Sequence, residues 1–182
     1  QGIAVARDGT VYVADRGNYL VRTVTMQGAV TIMAGEPGVS LPPSNGFPPI
    51  GFADPASLAA MALRIVVAEP AAHVVRRIDL AWPPFLIMPD ARTLAGQPAS
   101  AGVVEGTWPD NRLEAPDGIA VAGPDDCFVT DYSAQTVSRL IGNTLTTIAG
   151  APHQRGSIDG PASQARFSGP TGIAVDAAGR LY

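Results

Sequence analysis

The chain has 182 residues and a formal net charge of −4; it is 46% apolar and 15% charged, which supplies material for a core and too little charge for an intrinsically disordered chain. All twelve basic residues are arginines, scattered along the sequence, so the dense basic face of a nucleic-acid binder is missing. The single cysteine, Cys127, excludes an internal disulfide, and no apolar run reaches the roughly 18 residues of a membrane span.

In chain order, four short apolar runs come first: Ile3–Val5, Val11–Ala14, Leu20–Val24 and Val30–Met33. Asp8-Gly9, Gly17-Asn18 and Gln27-Gly28 separate them. Runs of this length rich in Val, Ile and Tyr predict strands, and connections this short predict antiparallel pairing. Asp8-Gly9 is a hairpin signal because its turn needs positive φ. Met33-Ala34-Gly35 closes the unit.

The same order then recurs. Val66-Val67-Ala68-Glu69 and His73-Val74-Val75-Arg76 match Tyr12–Asp15 and Tyr19–Arg22, with Leu58 to Leu63 near the place of a first strand. Gly118-Ile119-Ala120-Val121 repeats Gly2-Ile3-Ala4-Val5, and Cys127–Asp131 repeats Val11–Asp15. Gly172-Ile173-Ala174-Val175 opens a fourth copy, which reaches only Leu181-Tyr182. Gly118 and Gly172 stand about 54 residues apart, a spacing typical of repeat architectures. Leu94-Ala95-Gly96 and Ile148-Ala149-Gly150 close the second and third copies.

The expected fold is therefore all-β: four-stranded antiparallel sheets stacked as the blades of a partial β-propeller. The units are 2–35, 61–96, 118–150 and an incomplete 172–182, joined by links 36–60, 97–117 and 151–171. The links match one another, Glu105-Gly106 with Asp159-Gly160 and Arg112 with Arg166, so they are expected to be structured. One short helical turn is predicted near Ala162–Arg166, with Leu113 or Phe167 plugging the space between blades.

Gly172-Ile173-Ala174-Val175-Asp176, Val13-Ala14-Asp15, the arginine-bearing third strand, Thr147-Ile148-Ala149-Gly150 and the Asp-Gly…Ala-Arg-Phe link together resemble the NHL-repeat family, in its bacterial style with long links. The resemblance covers nearly the whole chain; the second copy departs from it by losing its first-strand signature. It implies a closed ring, most often of six blades, and hence a segment of a larger protein. One fold hosts many functions, so the family leaves the activity open.

Asp15, Glu69 and Asp131 end the second strand of each copy. Such acids could ring a cation near a central channel, but the turn-formers after each favour carboxylates capping their own turns. Arg112 and Arg166 are expected to pair with an acid such as Glu105 or Asp159, or with free carbonyls. His73 and His153, the only histidines, show no metal-ligand spacing, and His73 aligns with Tyr19 and Gln135 as a variable strand position. Cys127 reads as a buried, inert thiol. No catalytic motif, cofactor motif or nucleophile–base set is present.

Aromatic residues that depart from the repeat are the candidates for partner contact: Trp108, Phe47 and Phe52 in the links, and Trp82 and Phe85 in an insertion of the second copy. The expectation is a non-enzymatic binding or scaffold module for a protein or glycan partner, or a structural assembly, able to self-associate through open blade edges. The alternative is part of a metal-dependent hydrolase or lyase whose catalytic residues lie largely outside these 182 residues. The lysine-free repeat composition leans toward an extracellular or periplasmic setting.

Overall fold

A computed structural model describes residues 2–42, 45–46, 50–61, 63–80 and 90–182. It is all-β, with antiparallel sheets of four and five strands arranged as in a propeller. The first sheet holds β1 (Ile3–Val5), β2 (Val11–Asp15), β3 (Leu20–Val24) and β4 (Val30–Gly35), paired in chain order. The second holds β5 (Ser57–Met61), β6 (Arg64–Glu69), β7 (Val74–Asp79) and β8 (Asp90–Gly96). In the third, β9 (Gly106–Thr107) precedes β10 (Pro116–Gly123), β11 (Asp126–Asp131), β12 (Thr136–Ile141) and β13 (Thr144–Gly150) in sequence, yet pairs outside β13.

The turns follow from local chemistry. Gly9 adopts φ 84°, and the Asp8 carboxylate accepts the Thr10 N–H at 2.9 Å, closing the β1–β2 hairpin. Gly35, Gly96 and Gly150 end their sheets at positive φ. A Cβ on Gly96 would lie 1.9 Å from the His73 carbonyl oxygen, so only glycine fits there. Tyr19, His73 and Gln135 share a left-handed conformation, φ 59°, 62° and 64°. His73 is thus the turn residue preceding the third strand, and the expectation of a strand position is corrected: a left-handed φ cannot continue the β-ladder.

Two boundaries shift. The first strand of the second copy lies at Ser57–Met61, inside the expected link, where Leu58 pairs Val67 despite the missing Gly-Ile-Ala-Val signature. The first long strand of the third sheet begins at Pro116, because Pro116 already pairs Asp131, and Gly106–Thr107, inside the expected link, joins the same sheet at its outer edge. The link turn at 161–165 is closed by the Gln164 and Ala165 N–H groups donating to the Pro161 carbonyl.

The core lies between sheets. Tyr12, Ala14, Val21 and Ala34 pack against Ile65, Val67, Ile78 and Ala91, with Ile50 and Phe52 from the link added. Val66, Val75 and Ala95 pack on the other side against Ile119, Cys127, Val129, Leu140 and Leu145, with Leu113 added. The second sheet is therefore apolar on both faces, its alternate side chains serving one interface each.

Candidate binding face

Each second strand ends in an acid, and each acid works as an acceptor. Asp131 accepts the Glu114 N–H at 2.7 Å and the Ala115 N–H at 2.9 Å from the incoming link, and the Ala134 N–H at 3.0 Å from its own turn. Glu69 accepts the Ala53 N–H at 2.9 Å, also from a link, and the Arg76 guanidinium at 3.2 Å. Asp15 accepts from Asn18 at 3.0 Å and from Arg22 at 2.5 Å. The Asn18 amide, then the Arg22 guanidinium, holds the Asp15 carboxyl below the usual carboxylate range. The expectation that each acid caps its own turn holds for Asp131 and is corrected for the other two: neither Asp15 nor Glu69 accepts a backbone N–H from the turn that follows it, because side chains engage Asp15 and the entering link and Arg76 engage Glu69.

The link register explains this. Leu41, Gly102 and Gly156 donate their N–H groups to the carbonyls of Phe52, Leu113 and Phe167, and Pro55, Pro116 and Pro170 follow three residues later. Phe52 is fully buried. Its expected place among the partner-contacting aromatics is corrected: it is the link plug of the first interface, equivalent to buried Leu113. Trp108 is half-buried at the outer edge of the third sheet, its N–H bonded to the Asn143 carbonyl at 2.9 Å. Phe47, Trp82 and Phe85 lie outside the described residues.

Arg112 and Arg166 have one role at two sites. Arg112 binds the Pro109 and Asn111 carbonyls and the Ser100 hydroxyl. Arg166 binds the Ser163 and Ala165 carbonyls and the Gln154 side chain. Both close their links through carbonyls, and Glu105 serves the Thr147 N–H instead. Asn111, which sequence reasoning passed over, is fully buried; its side chain joins the Gly96 N–H to the Gly106 and Asn143 carbonyls.

The residue after each acid is where the scaffold varies: Arg16, Pro70 and Tyr132. Tyr132 is 52% exposed and lies over Gly169, where an added Cβ would meet the ring at 2.7 Å. Arg16 holds Asp54 side-on through Nε and Nη2, with an Nη2 to Oδ2 distance of 2.6 Å. The Asp54 hydrogen bonds, aided by the field of Asp54 and Asp117, push the Arg16 pKa up. His73 Nδ1 donates to the Glu114 carbonyl at 2.5 Å, and His153 Nδ1 lies 3.3 Å from the Glu114 carboxylate. The two histidines thus meet at one link residue, which their separation in sequence hides. The variability of the position after the acid was the signal that could have singled out Arg16 and Tyr132.

Among the described residues no three His, Cys, Asp or Glu side chains gather as a metal site. Elsewhere, Arg64 and Arg77 of the second sheet share Asp79 and reach Asp125 of the third at 3.4 and 3.2 Å, an ion network that bridges the sheets beside Cys127. No described helix is long and apolar enough to cross a membrane.

No protein-family model matches the chain, and no curated protein matches it. Solved structures do. An auxiliary nutrient binding protein from Bacteroides ovatus is 21% identical over 100% of this chain and 44% of its own, with a TM-score of 0.73. One from Bacteroides thetaiotaomicron is 19% identical over 93% of this chain and 41% of its own, with a TM-score of 0.68. Virginiamycin B lyase from Staphylococcus aureus is 18% identical over 99% of this chain and 61% of its own, with a TM-score of 0.50. The chain therefore spans less than two thirds of the length of each of these three. The neighbours are propeller-type proteins, and at these identities the likeness establishes a shared propeller-like fold.

Proposed function

We propose that the chain is a segment of an NHL-type propeller that acts as a binding module for a glycan or protein partner, through the face where its links enter. One observation carries this reading. The acids, link plugs and link arginines repeat, whereas the exposed position after each acid changes from Arg16 to Tyr132. A repeated scaffold with a varied, solvent-facing rim is how a propeller presents specificity. The rim combines an aromatic face, a guanidinium and carboxylates, groups that suit sugar hydroxyls and polar peptides. The proteins described as auxiliary nutrient binding proteins have a similar propeller-like fold, in keeping with a binding role. Trp108, half-exposed at the outer edge, is proposed as a second contact.

Oligosaccharide and peptide arrays, followed by calorimetry on the best ligand, test the reading. Tyr132→Ala and Arg16→Ala are expected to weaken binding by about tenfold each, or about 1.4 kcal/mol; the melting temperature should stay nearly unchanged for Tyr132→Ala and fall for Arg16→Ala, which strands the buried Asp54 carboxylate. Undiminished affinity in both variants would move the site off this face. A ligand recovered chemically altered after incubation would overturn the non-enzymatic reading in favour of a hydrolase or lyase.

A further inference from the structure

The first link meets the outer edge of the second sheet through a small set of groups. Gly46 and Ala91 form an isolated antiparallel bridge: the Gly46 N–H donates to the Ala91 carbonyl at 2.8 Å, and the Ala91 N–H to the Gly46 carbonyl at 3.0 Å. Beside it, Asn45 Oδ1 accepts the Thr93 N–H at 2.8 Å and the Thr93 hydroxyl at 3.1 Å. The third sheet has the same arrangement with a different side chain. Gly106–Thr107 pairs β13, and Glu105 Oε1 accepts the Thr147 N–H at 2.9 Å. Counted back from the closing Gly96 and Gly150, Thr93 and Thr147 are one position, and Ala91 and Leu145 another. The edge N–H is thus met by an amide in the first link and by a carboxylate in the second.

Asn45 is exposed, and of the four asparagines in the chain it alone precedes a glycine. Asparagine is a thermolabile residue. The main-chain nitrogen that follows it can attack its side-chain carbonyl carbon, and glycine, without a Cβ, hinders that attack least. In the folded chain the attacking nitrogen is the one whose proton the Ala91 carbonyl holds. Attack therefore requires Gly46 to leave its bridge. A single bridged pair at a sheet edge opens at lower cost than a strand within the sheet.

We propose that Asn45-Gly46 is a deamidation site gated by the opening of this bridge, and that the fold already accommodates its aspartyl product. On opening, Gly46 N bonds to Asn45 Cγ and loses its proton to solvent. The Cγ–Nδ2 bond breaks, and Nδ2 leaves as ammonia. One water then opens the resulting succinimide. Cleavage at Cγ leaves an aspartate in the normal main chain; cleavage at the main-chain carbonyl leaves an isoaspartate, with the chain running through Cγ. The net change replaces NH2 by OH, with no oxidation or reduction. The bonds to Thr93 use only the acceptor oxygen of Asn45, so an aspartate keeps them, as the Glu105 carboxylate keeps the Thr147 N–H. The isoaspartyl product has an extra carbon in the main chain before Gly46. That shift moves Gly46 off Ala91 and uncovers the β8 edge. Either product adds a negative charge to the link. The modification is independent of what the link face binds.

Incubation of the folded chain at mildly alkaline pH tests this, with peptide mapping by a protease that cuts before aspartate but not before isoaspartate. Conversion is expected at Asn45 ahead of Asn18, Asn111 and Asn143. It should run about tenfold or more slowly than in urea, where no bridge holds Gly46. Asn45→Gln, whose side chain would have to close a larger ring, should stay unmodified over the same period. Asn45→Asp should melt at the wild-type temperature, and the separated isoaspartyl chain should exchange its Thr93 amide faster than the unmodified chain. Equal rates in the folded chain and in urea would overturn the gating by Ala91. A folded chain that never converts, or converts first at another asparagine, would overturn the site. A marked fall in melting temperature for Asn45→Asp would overturn the accommodation of the carboxylate.

Discussion

Arg76 and Glu69 are both fully buried, and each is tolerable only because of the other. The guanidinium also donates to the Gly51 carbonyl at 2.7 Å and lies 5.6 Å from the Phe52 ring centroid. Removing one charge strands its partner: Arg76→Met is expected to cost about 3–5 kcal/mol in urea unfolding, and Glu69→Gln with Arg76→Met to recover much of that loss. A double variant no better than the single one would mean that the pair's packing outweighs its charge. Cys127 is the complementary case. Burial first, then the neighbouring Asp126, pushes its thiol up to about 12. Maleimide labelling at pH 8 should therefore follow global unfolding, and rapid labelling of the folded chain would show that β11 opens locally. The three strand-ending acids and the buried thiol were readable from alignment of the repeats alone. The acids' N–H partners were not, because they sit in links some sixteen positions upstream whose register the aligned residues do not reveal.

At the level of the element, the links decide which aromatic side chains are structural. Phe52, Leu113 and Phe167 are one position, but the shared residue that marks it is the proline three places on, Pro55, Pro116 or Pro170. The first strand of the second copy, Ser57–Met61, lacks the Gly-Ile-Ala-Val signature, so the frame that would have aligned the first link was missing. Phe52 consequently reads in sequence as a departure from the repeat, although it sits at the centre of the first interface. Phe52→Ala should destabilise the chain by about 3–5 kcal/mol through the cavity it leaves. Trp108→Ala, at a half-buried outer edge, should cost no more than about 1 kcal/mol. Similar melting temperatures for the two variants would contradict this assignment of roles.

Across the whole molecule, stability should run in a gradient, because each sheet contacts only its neighbours and is held by those interfaces. The second sheet has an interface on both faces, and the third is covered by the second on one side. Among the described residues the first packs on one face alone, and Ile3 and Val5 on the other are exposed. Amide hydrogen exchange should then be slowest in β6 and β11, with protection falling toward β3 and β4. Exchange that is uniform across the three sheets at low concentration would mean that the chain unfolds as one cooperative unit, with sheet-to-sheet coupling stronger than the repeat geometry implies.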